Sequence, residues 1–113
     1  MLIKKEFSTQ NYDMILYNVT INVAPDIEMD FLDWMRETHI PEVMATGIFV
    51  EHKFCRLIQQ SDDGSTNYAI QYFTESLAKM QEYESKYAAA LRAKTQERYK
   101  DKALAFRTLL EIL

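Results

Sequence analysis

Trp34-Met35-Arg36-Glu37-Thr38-His39-Ile40-Pro41-Glu42-Val43-Met44-Ala45-Thr46-Gly47 decides the fold, through its own pattern and through what flanks it. It reads as the end of an amphipathic helix, a kink or short second helix opened at Pro41, and a stop at Gly47; proline has no N–H to donate into a continuing helix. Upstream, Ile15, Tyr17, Val19, Ile21 and Val23 alternate with Leu16, Asn18, Thr20 and Asn22, the period of a half-buried strand. Between the two, Pro25-Asp26 opens the helix with Asp26 as its cap, and Ile27, Phe31, Trp34 and Met35 form a core stripe. Glu28 and Asp30 fall in the first turn, where the helix dipole favours acids.

Downstream, 48–59 and 66–74 read as two strands around Asp62-Asp63-Gly64-Ser65, with Asp-Gly as the hairpin signal. A two- or four-residue turn there pairs Leu57 with Ile70 and Cys55 with Tyr72, and sets Arg56 against Gln71 and Phe54 against Phe73; a three-residue loop breaks this register. Thr74 or Ser76 caps a second helical region that runs to about Tyr99, with a break near Tyr87-Ala88 and Leu77, Met80, Tyr87 and Leu91 near one stripe. The last strand, 102–113, carries Leu104, Phe106, Thr108 and Leu110 on one side and Ala103, Ala105, Arg107 and Glu111 on the other.

This β-α-β-β-α-β order predicts an α+β domain, a four-stranded antiparallel sheet with both helices on one face. The more apolar set of each strand should meet the helices: Ile15/Tyr17/Val19/Ile21, Cys55/Leu57, Tyr68/Ile70/Tyr72 and Leu104/Phe106/Leu110. The opposite face then carries Asn18, Thr20, Asn22, His52, Phe54, Arg56, Gln71, Phe73, Ala105 and Arg107. That mixture is too apolar for bare surface and too polar for a sealed core. It predicts a homodimer through the open sheet face, with a pocket between the two sheets.

The totals fit this picture. The chain has 113 residues, enough for one domain that buries roughly 65% of its extended-chain surface. Residues 14–113 read as that domain and residues 1–13, which lack a period, as an extension. Hydrophobic residues make up 48% and charged residues 27%, which excludes a disordered chain. No apolar run approaches the ~20 residues of a membrane helix, and no secretory signal is legible. Cys55 is the only cysteine, which suits a reducing, cytoplasmic setting. A net charge of −4 argues against nucleic acid as a partner. Residues 26–51 hold seven acids and only Arg36, while 86–107 hold seven bases against Glu97 and Asp101. Two neighbouring helices with matched charge explain this better than a basic face for a ligand.

His39 is the candidate general acid or base, since imidazole moves protons near neutral pH. Its structural alternative is to donate to a free carbonyl and hold the kink. Asn18, Thr20, His52, Arg56, Gln71 and Arg107 are the candidate pocket residues, the two arginines suited to clamping a small anionic ligand bidentately. Alternatively the arginines pair across the dimer with Glu51, Glu111 or backbone groups. No spacing resembles a zinc motif, and no phosphate loop, dinucleotide fingerprint or Ser/His/Asp order occurs, so neither a metal nor another cofactor is expected. Cys55 and the tyrosines at 83, 87 and 99 read as packing residues.

Several separated blocks together resemble a known family. They are Ile15-Leu16-Tyr17-Asn18-Val19-Thr20, Trp34-Met35, His39-Ile40-Pro41-Glu42-Val43, Ala45-Thr46-Gly47, Cys55-Arg56-Leu57, Tyr87-Ala88, Ala90-Leu91-Arg92 and Ala105-Phe106-Arg107-Thr108-Leu109-Leu110-Glu111. In order, they are similar to the bacterial domain-of-unknown-function family 4286, from about Met14 to the C-terminus. The resemblance implies a ferredoxin-like, dimeric α/β-barrel fold and no assigned reaction. More loosely, His39-Ile40-Pro41 resembles the His-x-Pro element of EthD-like and stress-responsive barrel proteins, whose superfamily includes monooxygenases, isomerases and haem-binding enzymes.

Two functions follow for testing. One is a small-ligand-binding or structural module. The other is a cofactor-free enzyme, monooxygenase- or isomerase-like, acting on a small polar or aromatic acid with His39 as base. An enzyme should show His39 or His52 opening into a closed pocket beside a guanidinium. A module should show saturated arginines and no enclosed void.

Overall fold

Strict alternation makes Ile15–Val23 (β1) a central strand, every odd residue buried and every even one half-buried. The computed structural model describes residues 14–113; the extension read over 1–13 lies outside the described residues. After β1 a short 3₁₀ turn, Pro25–Ile27, leads into helix α1 (28–44). Strands β2 (Phe49–Arg56) and β3 (Thr66–Thr74), helix α2 (77–99) and strand β4 (Ala103–Glu111) follow. The sheet order is β2-β3-β1-β4 and each neighbouring pair is antiparallel. This is the expected β-α-β-β-α-β sandwich, its core lying between the sheet and the helical layer.

Both helices carry a wide π-type turn, Met35–His39 in α1 and Glu84–Ala88 in α2. In α1 the Ile40 N–H reaches back five residues to the Met35 carbonyl. Pro41 follows at once, with no N–H to donate and a ring that crowds the preceding turn, so the wide turn absorbs its effect and the helix continues. The buried stripe therefore jumps by five residues at each such turn, from Met35 to Ile40 and from Tyr83 to Ala88. Of the stripe read from sequence on α2, Met80 and Leu91 are buried, Tyr87 within the wide turn is half-buried, and Leu77 at the helix start is exposed. Gly47, at φ +78°, ends α1 as expected. Ser76 caps α2 by accepting from the Lys79 N–H at 3.2 Å, whereas Thr74 stays in β3 and donates to the Ile48 carbonyl at 2.7 Å. Asp26 is not the cap of α1; it lies within the 3₁₀ turn and pairs with Lys102.

The matched-charge reading of the helices holds. Arg98 meets Asp30 at 3.0 Å and Lys94 meets Glu42 at 3.0 Å, both linking α2 to α1. These pairs sit in solvent, so they set alignment more than stability. Arg98 also lies over the Trp34 ring, and the Tyr99 hydroxyl donates to Asp30 at 2.7 Å.

Two strand parities differ from those expected. In β2, Phe54 pairs with Ile70, Cys55 with Ala69 and Arg56 with Tyr68, an odd-numbered slip from the expected register. The Asp-Gly turn does form, with the Gly64 N–H bonding the Ser61 carbonyl, but it lies inside a longer connection. Asp63 anchors it by accepting from the Ser65 N–H and hydroxyl, and Asn67 ties it down through Ser61. An odd slip reverses every side chain. His52, Phe54 and Arg56 therefore point to the helical side, while Cys55 lies exposed on the open face. In β4, the alignment of Val19 with Arg107 and Ile21 with Ala105 turns Ala103, Ala105 and Arg107 toward the helices. Leu104, Phe106 and Leu110 occupy the open face, 52%, 71% and 45% exposed.

Candidate ligand-binding site

A partly enclosed cavity of about 40 Å³ lies between the helices and the sheet. By volume it holds roughly three waters or the polar head of a small molecule. Its floor is Val19, Ile21, Ile70, Ala103 and Ala105, and the alanines of β4 leave the space that larger side chains would fill. Its polar wall is Tyr17 of β1, Tyr72 of β3, His39 of α1, Tyr83 and Arg92 of α2, and Arg107 of β4.

Both wide turns serve this wall. The turn in α1 brings His39 five residues on from Trp34 yet stacked on it, with ring centres 4.9 Å apart and planes 23° from parallel. The turn in α2 starts directly after Tyr83, whose ring meets Phe49 at 4.9 Å and Tyr17 at 5.8 Å. Wide turns of this kind recur at functional sites.

The electrostatics are uneven. The Arg92 guanidinium donates to the Tyr17 hydroxyl at 3.0 Å and to Glu84 at 2.5 Å, yet its Nε is buried with no partner. His39 Nδ1 is likewise buried and unpartnered. Each such atom costs about 1–3 kcal/mol of lost hydration unless something pairs with it. Burial pushes the His39 pKa down to about 4, helped by Lys94 and Arg107 and opposed by Glu42, so the ring is neutral at pH 7. Burial also raises the Tyr72 and Tyr83 phenols, with Tyr17 adding to both effects, so they remain protonated.

The residues read as a pocket from sequence do not assemble into one. Asn18, Thr20 and Gln71 lie on the open face, where Asn18 donates to Thr20 at 3.1 Å and faces Gln71 across the strands. His52 and Arg56 stand exposed on the edge strand, Arg56 lying over the Tyr68 ring and donating to its hydroxyl at 3.3 Å. Only Arg107 joins His39 at the cavity. The odd slip of β2 and the reversed β4 caused the split. Neither Arg56 nor Arg107 is ion-paired to a carboxylate among the described residues. Sequence reading missed Tyr17, Tyr72, Tyr83 and Arg92 as residues of this cavity. The available signal was two tyrosines on strand positions assigned to the covered face. Among the described residues no group of three or more His, Cys, Asp or Glu side chains is placed to hold a metal ion.

Known proteins agree on the fold and leave the chemistry open. A solved protein described as of the ethyl tert-butyl ether d (EthD) family, from Bacillus halodurans C-125, superposes with a TM-score of 0.66 at 14% identity, over 88% of this chain and 99% of that one. A dimeric ferredoxin-like protein from an uncultured marine organism superposes with a TM-score of 0.58 at 11% identity, over 89% and 96%. No curated protein matches the chain. The family model described as "Domain of unknown function (DUF4286)" matches residues 14–113, so the chain belongs to that family.

Proposed function

We propose that this protein is a homodimeric small-ligand-binding module whose ligand enters the cavity between the sheet and the helices. One observation carries the binding site: two buried polar atoms, His39 Nδ1 and Arg92 Nε, stand without partners in residues that line one cavity. A bound molecule would relieve both. Dimerisation is supported by the exposed Leu104, Phe106 and Leu110 on one sheet face, an apolar patch unusual on a monomer. One of the similar solved structures is described as dimeric. The exposed thiol of Cys55 fits a reducing, cytoplasmic setting, and no described helix is long and apolar enough to cross a membrane.

Native mass spectrometry of the purified protein tests the cavity. The expected result is a co-purifying small molecule that is absent from an Ala105→Phe variant, in which the new ring fills the space. An empty wild type that also retains nothing from a metabolite extract overturns the reading. Light scattering tests the dimer: twice 13.3 kDa is expected, and a mass of 13.3 kDa at micromolar concentration overturns it.

The enzyme reading has one observation in its favour, His39 sharing the cavity with two arginines. Its depressed pKa makes it a weak base in the free protein, which places binding ahead of catalysis.

A further inference from the structure

We infer that the cavity's ligand is a small monocarboxylate with an apolar body, its carboxylate held by Arg92 Nε and the Tyr72 and Tyr83 hydroxyls, with Arg107 at the mouth. This rests on the binding reading above and names the ligand class. Tyr72 and Tyr83 are each 3% exposed and line the cavity, and neither hydroxyl is a sealed, unpartnered atom, so each is free to turn its O–H toward the open space. With the Arg92 Nε–H and the Arg107 guanidinium they form a wall of donors. Facing them, acceptor capacity is confined to the Thr95 and tyrosine hydroxyl oxygens and one nitrogen of neutral His39, and no carboxylate lines the cavity. A complementary ligand must therefore be rich in acceptors.

Charge narrows the class. Glu84 already neutralises Arg92, and His39 is uncharged, so Arg107 is the one cation of the lining without a carboxylate partner among the described residues. One net positive charge matches a monoanion better than a phosphate dianion. The rest of the lining is apolar, including Val19, Ile21, Met35, Val43, Ile70 and Leu91. An inorganic anion would leave those groups facing nothing, whereas an alkyl or aryl body fills against them. The partly enclosed 40 Å³ suits a carboxylate head with its body reaching toward the opening.

An NMR titration tests this with benzoate and butyrate as probes, against benzamide, butyramide and inorganic phosphate. The acids are expected to move the Arg92 Nε–H resonance and the amides of residues 72 and 83. They should bind at least roughly tenfold more tightly than their uncharged amides, the usual advantage of a charged acceptor. Tyr72→Phe and Tyr83→Phe keep the ring packing and should each weaken acid binding several-fold without changing the Tm by more than a few degrees. Equal binding of amide and acid, preference for phosphate, shifts confined to the outer surface, or no binding by either acid each overturns the monocarboxylate assignment. The co-purification experiment assumes no ligand class, so the two readings fail separately.

Discussion

The two faces of this sheet use their residues in opposite ways, and β4 shows it within one strand. Toward the helices it offers Ala103 and Ala105, small enough to leave a cavity, and then Arg107 at the mouth. Toward the open side it offers Leu104, Phe106 and Leu110, large and left in solvent by a single chain. Ordinary packing would place the large side chains inward. The reversal leaves open space beside Ala103 and Ala105 on the covered face, and apolar area on the open face that a single chain leaves uncovered. The central strands lack this asymmetry: β1 and β3 bury one face fully and the other by half.

The sharpest contrast is expected from paired substitutions on the two faces. On the covered face, Tyr72→Ala removes a ring that is 3% exposed and should cost about 3–5 kcal/mol in urea unfolding. A loss below about 1 kcal/mol would show that the covered face is not the core. On the open face, Phe106→Asp should weaken dimerisation by about 2–3 kcal/mol, read by sedimentation, with the fold intact by circular dichroism. Unchanged association would remove the open face as the interface.

His39 gives the covered face a pH signature that the open face lacks. Its folded pKa of about 4 lies below the unfolded value of 6.5. The unfolded chain therefore takes up the proton first, and stability present above pH 6.5 is lost as pH falls toward 4. Between pH 7 and pH 5 the loss should be about 2 kcal/mol, and His39→Gln should abolish most of it. A wild-type protein equally stable at both pH values would mean that the ring is solvated.

The smallest effect concerns how α2 is held over the cavity. Ser76→Ala removes the cap bond to Lys79 and should cost about 1 kcal/mol in urea, leaving the dimer mass unchanged. A drop in dimer affinity of the same size would mean that the two faces are coupled.

Much of the frame is legible in the chain. The alternation from Ile15 to Val23, the stripe through Phe31 and Met35, the stop at Gly47 and the Ser76 cap are local patterns, and each is found where it was read. His39 was legible as a candidate through its residue type and its place before Pro41, and it lines the cavity. Arg92 was not, because Leu91 beside it carries the helical stripe and the wide turn shifts the helix phase upstream. The open-face polar residues Asn18, Thr20 and Gln71 were oriented correctly, but they belong to a different surface from Arg107.

By itself, then, the order of residues determined the element sequence, the parity of β1 and β3, and the charge match between the helices, because these follow from short-range periodicity and composition. Only the tertiary structure decided the register of β2, the inward face of β4 and hence the membership of the cavity. Both outer strands have side chains that suit either face. Their orientation is settled by backbone pairing with a neighbour and by the loop that delivers them, interactions between residues far apart in the chain.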